Sequence, residues 1–230
     1  FMVYCKEELR NNTATRARKT STLRLFFKYM SVQTHRLDSN PADLLEAPKI
    51  KQSLPKYLSL EDSLELLNSV DGENGRRDYC ILTIFLNCGL RLSELCGLNL
   101  SDISSDGTMT VTGKGNKERM IYLNDACREA IKKYLPVRAA DPEIRDKDAL
   151  FLSSRHTRIS NKTVQWVVYK YLDEAGLGNK GYSAHKLRHT AATLMYRTGN
   201  VDVRVLKDIL GHEQLNTTQI YTHVSDEGMR

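Results

Sequence analysis

Hydrophobic positions along this chain recur mostly at helical spacing. Leu23, Phe26, Phe27 and Met30 share one helical face, and Arg16, Arg18, Lys19, Arg24 and Lys28 are left for the outer faces. Helices are therefore predicted at residues 1–10 and about 15–33, with a short one opening at Asn40-Pro41-Ala42-Asp43, where proline suits the first turn. Residues 48–57 hold two prolines, several lysines and no periodicity, which reads as a linker. Beyond it, Ser59-Leu60-Glu61-Asp62 has the form of a helix start, with a capping serine and acids in the first turn. Helices follow at about 60–69 and 76–88, and Gly89 ends the second.

The period then changes. Leu98–Ile103 reads as a short strand. Thr108–Thr112 and Glu118–Leu123 alternate and are rich in β-formers, and Gly113-Lys114-Gly115-Asn116 joins them as a hairpin turn. Helical spacing returns near 125–135, 160–175, 184–198, 201–209 and 215–223. The pattern predicts a mainly α protein with a small antiparallel β-sheet. It divides into a helical domain at residues 1–47, a linker at 48–57 and a larger domain at 58–230.

Composition changes this picture little. The 230 residues suit one or two domains, and 40% hydrophobic with 27% charged residues is ordinary for a globular protein. No apolar run approaches the roughly 20 residues of a membrane-spanning helix, so a membrane partner is not expected. The net charge of +6 fits a nucleic-acid partner without requiring one. The five cysteines, Cys5, Cys80, Cys88, Cys96 and Cys127, are odd in number and form no C-x-x-C pair. That favours free thiols in a reducing, cytoplasmic setting over disulfides or a zinc finger. The chain begins at Phe1 inside an amphipathic stretch, which is not expected of a native start.

The chemistry concentrates near the end. His185 and Arg188 lie three apart on a helix that Ser183 can cap, so both side chains can face one anion while Leu187, Ala191 and Leu194 face the core. Leu210-Gly211-His212 places a histidine just past a helix end, and Gln219-Ile220-Tyr221 places a hydroxyl beyond it. Upstream, Arg91 follows a Gly-Leu break, with Glu94 one turn on to orient it, and Lys114 sits between glycines at the hairpin tip. Together they form a phosphate clamp with a nucleophile at its mouth. Taken singly, each has a plainer reading: an Arg91–Glu94 surface pair, a solvated turn lysine, a structural histidine, a packed tyrosine. His185 and His189 are spaced like metal ligands, but Lys186 stands where H-E-x-x-H would place its base, and a zinc site does not fit.

The set Gly89-Leu90-Arg91-Leu92-Ser93-Glu94-Leu95, Gly113-Lys114-Gly115, His185-x-x-Arg188-His189-Thr190, Leu210-Gly211-His212 and Gln219-Ile220-Tyr221 resembles the tyrosine recombinase (phage integrase) family, in its Xer-like form. The resemblance extends upstream through Thr15-Arg16-Ala17-Arg18-Lys19 and Leu23–Tyr29 to the family's helical core-binding domain. It implies a two-domain architecture around double-stranded DNA. Arg91 and Arg188 would hold the phosphate, His185 would act as base, Lys114 as acid, His212 as a further donor and Tyr221 as nucleophile. Glu94 and His189 would support them. No metal or cofactor is implied.

Among DNA contacts, Arg16, Lys19, Lys117 and Arg119 are expected on the phosphate backbone, and Arg24, Lys28 and Gln165 are candidates for reading bases. The implied activity is site-specific strand exchange, for Xer-type dimer resolution or for mobile-element integration and excision. The protein would be a monomer or dimer when free and a tetramer on two duplexes, with a partner recombinase or accessory protein. The competing readings are a type IB topoisomerase-like nicking and closing enzyme and a DNA-binding protein without catalysis. Against the family pattern, the core-binding domain reads as incomplete at its N-terminus, and so does the helix that follows Tyr221.

Overall fold

The computed structural model describes residues 1–50, 56–113, 115–197 and 203–211. The chain separates into two compact units, Phe1–Leu54 and Pro55–Arg230.

In the first unit, α1 (Met2–Glu7) is followed by α2 (Thr13–Lys28), which continues into a wider π-type turn at Tyr29–Gln33. Asn12 starts α2 by accepting the Thr15 backbone N–H at 2.8 Å, a cap of about 1 kcal/mol. The buried residues here are small: Cys5, Ala17, Thr20 and Ala42. The expected apolar face is only partly covered. Leu23, Phe27 and Met30 are half-buried and Phe26 is 52% exposed. Asn40-Pro41 opens two overlapping turns instead of a helix, closed by Asp43 N–H to Asn40 and Leu45 N–H to Ala42.

The second unit is built around α4 (Gly75–Cys88). Its Cys80, Ile81, Leu82, Ile84, Phe85 and Cys88 are buried. It runs between α6 (Asp125–Ala139) and α8 (Ala184–Arg197), while α3 (Leu60–Asn68) and α7 (Asn161–Glu174) complete the packing. Polar caps define the starts: Ser59 for α3, Asn124 for α6 and Ser160 for α7 each accept a backbone N–H two residues into the helix. All five cysteine thiols are buried and free, as small apolar residues would be.

Strands β1 (Thr108–Thr112) and β2 (Glu118–Tyr122) form the antiparallel hairpin that alternation predicts, with Thr110 opposite Met120 and Val111 opposite Arg119. The expected strand at Leu98–Ile103 is different. Asn99 and Ile103 make single bridges to Ala149 and Met109, and Leu100–Asp102 between them is a 3-10 turn. Asp102 causes the break, because its carboxylate accepts the Asn99 backbone N–H at 2.7 Å and draws the chain into a turn.

Two short helices bring the site together. Gly89 ends α4 at φ 58°, and a Cβ there would stand 2.8 Å from Leu210 Cδ2. Only glycine fits that contact without a shift. The chain then reverses into α5 (Leu92–Gly97), while α9 (Val203–Leu210) lies along α8 and ends against the same corner.

Candidate active site

Arg91 stands at the start of α5, and Glu94 turns back one helical turn to meet it. The Glu94 carboxylate accepts the Arg91 backbone N–H at 2.8 Å and its Nη1–H at 2.7 Å. Both carboxylate oxygens also take bonds from Arg119 on β2, at 3.0 and 2.7 Å, and Arg188 Nη1 lies 3.8 Å away. Burial alone would raise the Glu94 pKa. The hydrogen bonds from Arg119 and Arg91 outweigh that, and the carboxyl titrates at about 2.

The three guanidiniums share a second anchor. At the C-terminal end of α9, Arg119 Nε–H bonds to the Ile209 carbonyl at 2.8 Å, Arg188 Nη2–H to Leu210 at 2.6 Å and Arg91 Nη2–H to Gly211 at 2.9 Å. Arg188 also bonds to the Gly89 carbonyl at 2.7 Å. A helix C-terminus carries partial negative charge and unpaired carbonyls, so three cations cap it favourably. Gly211 must be small here: it has φ 61°, and a Cβ would lie 3.3 Å from Arg119 Nη1. Among the described residues one carboxylate stands against three arginines, a local charge of about +2, and fixed donors make the corner a preorganised anion site.

Arg188 is almost fully buried, whereas Arg91 is about a third exposed. A guanidinium has five N–H donors, and the contacts of Arg91 leave some for an incoming oxygen. His185 lies one turn before Arg188 on α8. Its Nε2 is 3.1 Å from His189 Nε2, with the two rings perpendicular. An Nε2–Nε2 bond needs one donor and one acceptor, so the pair shares a single bridging proton when both rings are neutral. Partial burial pushes the His185 pKa below the usual histidine value, and the charges of Arg188 and Lys186 push the same way.

A lowered pKa keeps His185 in its neutral, proton-accepting form further into acid. Any step that uses it as base should therefore reach half its plateau rate only below pH 6.5. A single-turnover rate profile from pH 5 to 8 measures this, and a midpoint above 6.5 would contradict it.

Arg91, Ser93, Gln165, Tyr169, His185 and Arg188 line a cavity of about 670 Å³. The structure thus brings together Arg91, Arg188, His185, Glu94, His189 and Gln165. The positions of Lys114, His212 and Tyr221 lie outside the described residues. Lys117 is exposed beside the hairpin turn. In the first unit, Arg24 and Lys28 are exposed; Arg24 bonds to the Asp43 carbonyl, and Lys19 lies over the Phe1 ring. Arg16 is half-buried. Among the described residues, no cluster of three or more His, Cys, Asp or Glu is arranged to hold a metal, and no helix is long and apolar enough to cross a membrane.

Arg119 departs from expectation. Its side chain is 13% exposed and is committed to Glu94 and Ile209, so it does not lie open to a phosphate backbone. A signal for this was present, since period-2 alternation puts Arg119 on the same face as the buried Ile121 and Leu123. Tyr169, which lines the cavity, was also missed. It lies one turn after Gln165 on α7, so placing one places the other.

A model of the phage integrase family matches residues 56–228. The tyrosine recombinase XerC of Caldanaerobacter subterraneus subsp. tengcongensis is 54% identical over 230 residues, covering the whole of this chain and 65% of that protein. The chain therefore spans just under two thirds of the length of this relative. Among solved structures, the XerA recombinase is similar at TM-score 0.69 and 30% identity, over 100% of this chain and 78% of that one. The XerH site-specific recombinase, bound to palindromic difH substrate in a post-cleavage complex, is similar at TM-score 0.83 over 98% of this chain and 68% of that one. At 23% identity, this second likeness is one of fold.

Proposed function

The chain belongs to the phage integrase family, and we propose that it is an Xer-like site-specific recombinase that cleaves and rejoins DNA through a 3′-phosphotyrosyl intermediate. The observation that carries this reading is the pair Arg91 and Arg188, held by Glu94 and by the α9 carbonyls around a cavity that His185 also lines.

Two fixed guanidiniums fit the two non-bridging oxygens of one phosphodiester, and they stabilise the charge that grows there during attack. Tyr221 is the nucleophile. Its phenol is mostly protonated near pH 7, and neutral His185 is suited to take that proton. His189 steadies the His185 ring through their shared Nε2 bond. The phosphorus–O5′ bond breaks as the phosphotyrosyl bond forms, and Lys114 donates a proton to the departing oxygen. His212 adds a donor to the phosphoryl group. One phosphate ester replaces another, so the exchange is near balance and needs no nucleotide cofactor.

The Phe1–Leu54 unit serves as the core-binding domain. Arg16 and Lys19 contact the DNA backbone there, and Arg24 and Lys28 are placed to read bases; in the larger unit, Lys117 contacts the backbone and Gln165 reaches bases beside the reacting phosphate. Assembly is a tetramer on two duplexes, with a partner recombinase or accessory factor, serving dimer resolution or mobile-element exchange.

The test uses a library of nicked duplexes randomised around the nick, in which the short strand beyond the break diffuses away and traps the intermediate. The expected product is a denaturant-resistant adduct in which the protein is joined to the new 3′ end, with the released strand ending in a 5′-hydroxyl that a kinase labels directly. Attachment to a 5′ end, or no adduct with any sequence, would overturn the proposal. The acid has its own test. Lys114→Ala should slow adduct formation by about 10²–10⁴, and a 5′-bridging phosphorothiolate at the scissile position should restore it, because a thiolate leaves without a proton. Absence of rescue would remove Lys114 from that role.

A further inference from the structure

We infer that Arg119 is a positioning residue for the two phosphate-binding arginines, acting through Glu94 and the end of α9 and making no DNA contact of its own. This rests on the recombinase reading above and goes beyond it.

Arg119 touches two groups. One is the Glu94 carboxylate, gripped on both oxygens at 3.0 and 2.7 Å, and the other is the Ile209 carbonyl at 2.8 Å. Each of these in turn holds the other arginines. Glu94 binds Arg91 by backbone and side chain, and the two carbonyls after Ile209 bind Arg188 and Arg91. Removing Arg119 therefore releases one side of the carboxylate that aims Arg91. It also releases one of three tethers on the turn that aims both arginines.

The planar fork of a guanidinium matches this bidentate grip, which lysine cannot reproduce. The hairpin also packs against this pair at ordinary contact distance. A Cβ on Gly113 would stand 3.4 Å from Glu94 Oε1 and 3.6 Å from Arg119 Nη1, so the strand end closes directly over the pair. Arg119 thus keys the β1–β2 hairpin to the anion site. Arg91 and Arg188 line the cavity and Arg119 does not, and turning toward a phosphate would draw it off Glu94, leaving a buried carboxylate short of a partner.

The experiment compares wild type, Arg119→Ala and Arg119→Lys on a sequence captured from the nicked library. It measures equilibrium affinity against salt, and single-turnover adduct formation on two substrates: the ordinary phosphodiester and one with a methylphosphonate at the scissile position. The methyl group removes the negative charge that Arg91 and Arg188 neutralise.

The expected result is affinity within about twofold of wild type with an unchanged salt slope. Adduct formation on the phosphodiester should fall about a hundredfold for Arg119→Ala, as misplacement of catalytic groups does. It should fall less for Arg119→Lys, and the fall should shrink for both on the methylphosphonate. A weakened affinity with a salt slope shallower by about one would mark a phosphate contact and overturn the inference. So would an equal fall on both substrates, which marks general damage to the fold, or an undiminished rate. Should Arg119→Ala fail to fold, Arg119→Lys keeps the charge beside Glu94 and carries the same comparison. A wild-type protein that forms no adduct strikes the recombinase reading itself; a wild-type adduct with an unchanged Arg119→Lys rate strikes this inference alone.

Discussion

Glu94→Ala is expected to cost about 3–5 kcal/mol of folding stability and to reduce adduct formation by more than about 10², the largest combined effect of any described residue. The reason is geometric. Glu94 is 6% exposed and, among the described residues, is the one carboxylate paired with Arg91, Arg119 and Arg188. Without it, buried guanidiniums face one another uncompensated, and Arg91 loses two of its three bonds. Chemical denaturation at pH 7 measures the first effect and single-turnover cleavage the second.

The same carboxylate sets an acid dependence. Its folded pKa of about 2 lies below its ordinary 4.5, so it contributes stability above pH 4.5 that is lost as pH falls through the folded value. At pH 7 this contribution is about 3 kcal/mol. Wild type should therefore weaken between about pH 4.5 and 2, and Glu94→Gln should show a flatter profile in that window. An unchanged profile in Glu94→Gln would mean that other carboxylates carry the acid transition.

Much of this arrangement was legible because local rules decided it. Ser59 caps α3 as its side-chain chemistry requires. Gly89 ends α4 because the chain must enter the left-handed region against Leu210. The spacing of His185 and Arg188 puts both beside one cavity, and Glu94, one turn from Arg91, bonds to it.

What escaped depended on contacts distant in sequence. Leu98–Ile103 is apolar enough for a strand, but the Asp102 carboxylate closes a turn on Asn99. Phe26 shares the apolar spacing of Leu23 and Met30, yet it is 52% exposed. Arg119 has the composition of a DNA contact, yet its role is set by Glu94, 25 residues earlier, and Ile209, 90 residues later. The three α9 carbonyls carry no side-chain signature, so their part in aiming the arginines is visible only in the folded chain.

Tyr221→Phe should abolish the adduct altogether. Phenylalanine keeps the ring and removes the oxygen proposed to attack, so DNA affinity should stay near wild type while covalent capture falls to background. Loss of a basic group would act differently, weakening binding and its salt dependence. The account's central claim is that the Arg91–Glu94–Arg188 corner presents a phosphate to Tyr221, and the residue that becomes bonded to DNA tests it most directly. The measurement is to trap the wild-type adduct on the nicked duplex, digest both DNA and protein, and find the nucleotide-bearing residue by peptide mass spectrometry. The account predicts a phosphate ester on the Tyr221 phenol. A nucleotide found instead on a hydroxyl that lines the cavity, such as Tyr169 or Ser93, would contradict it.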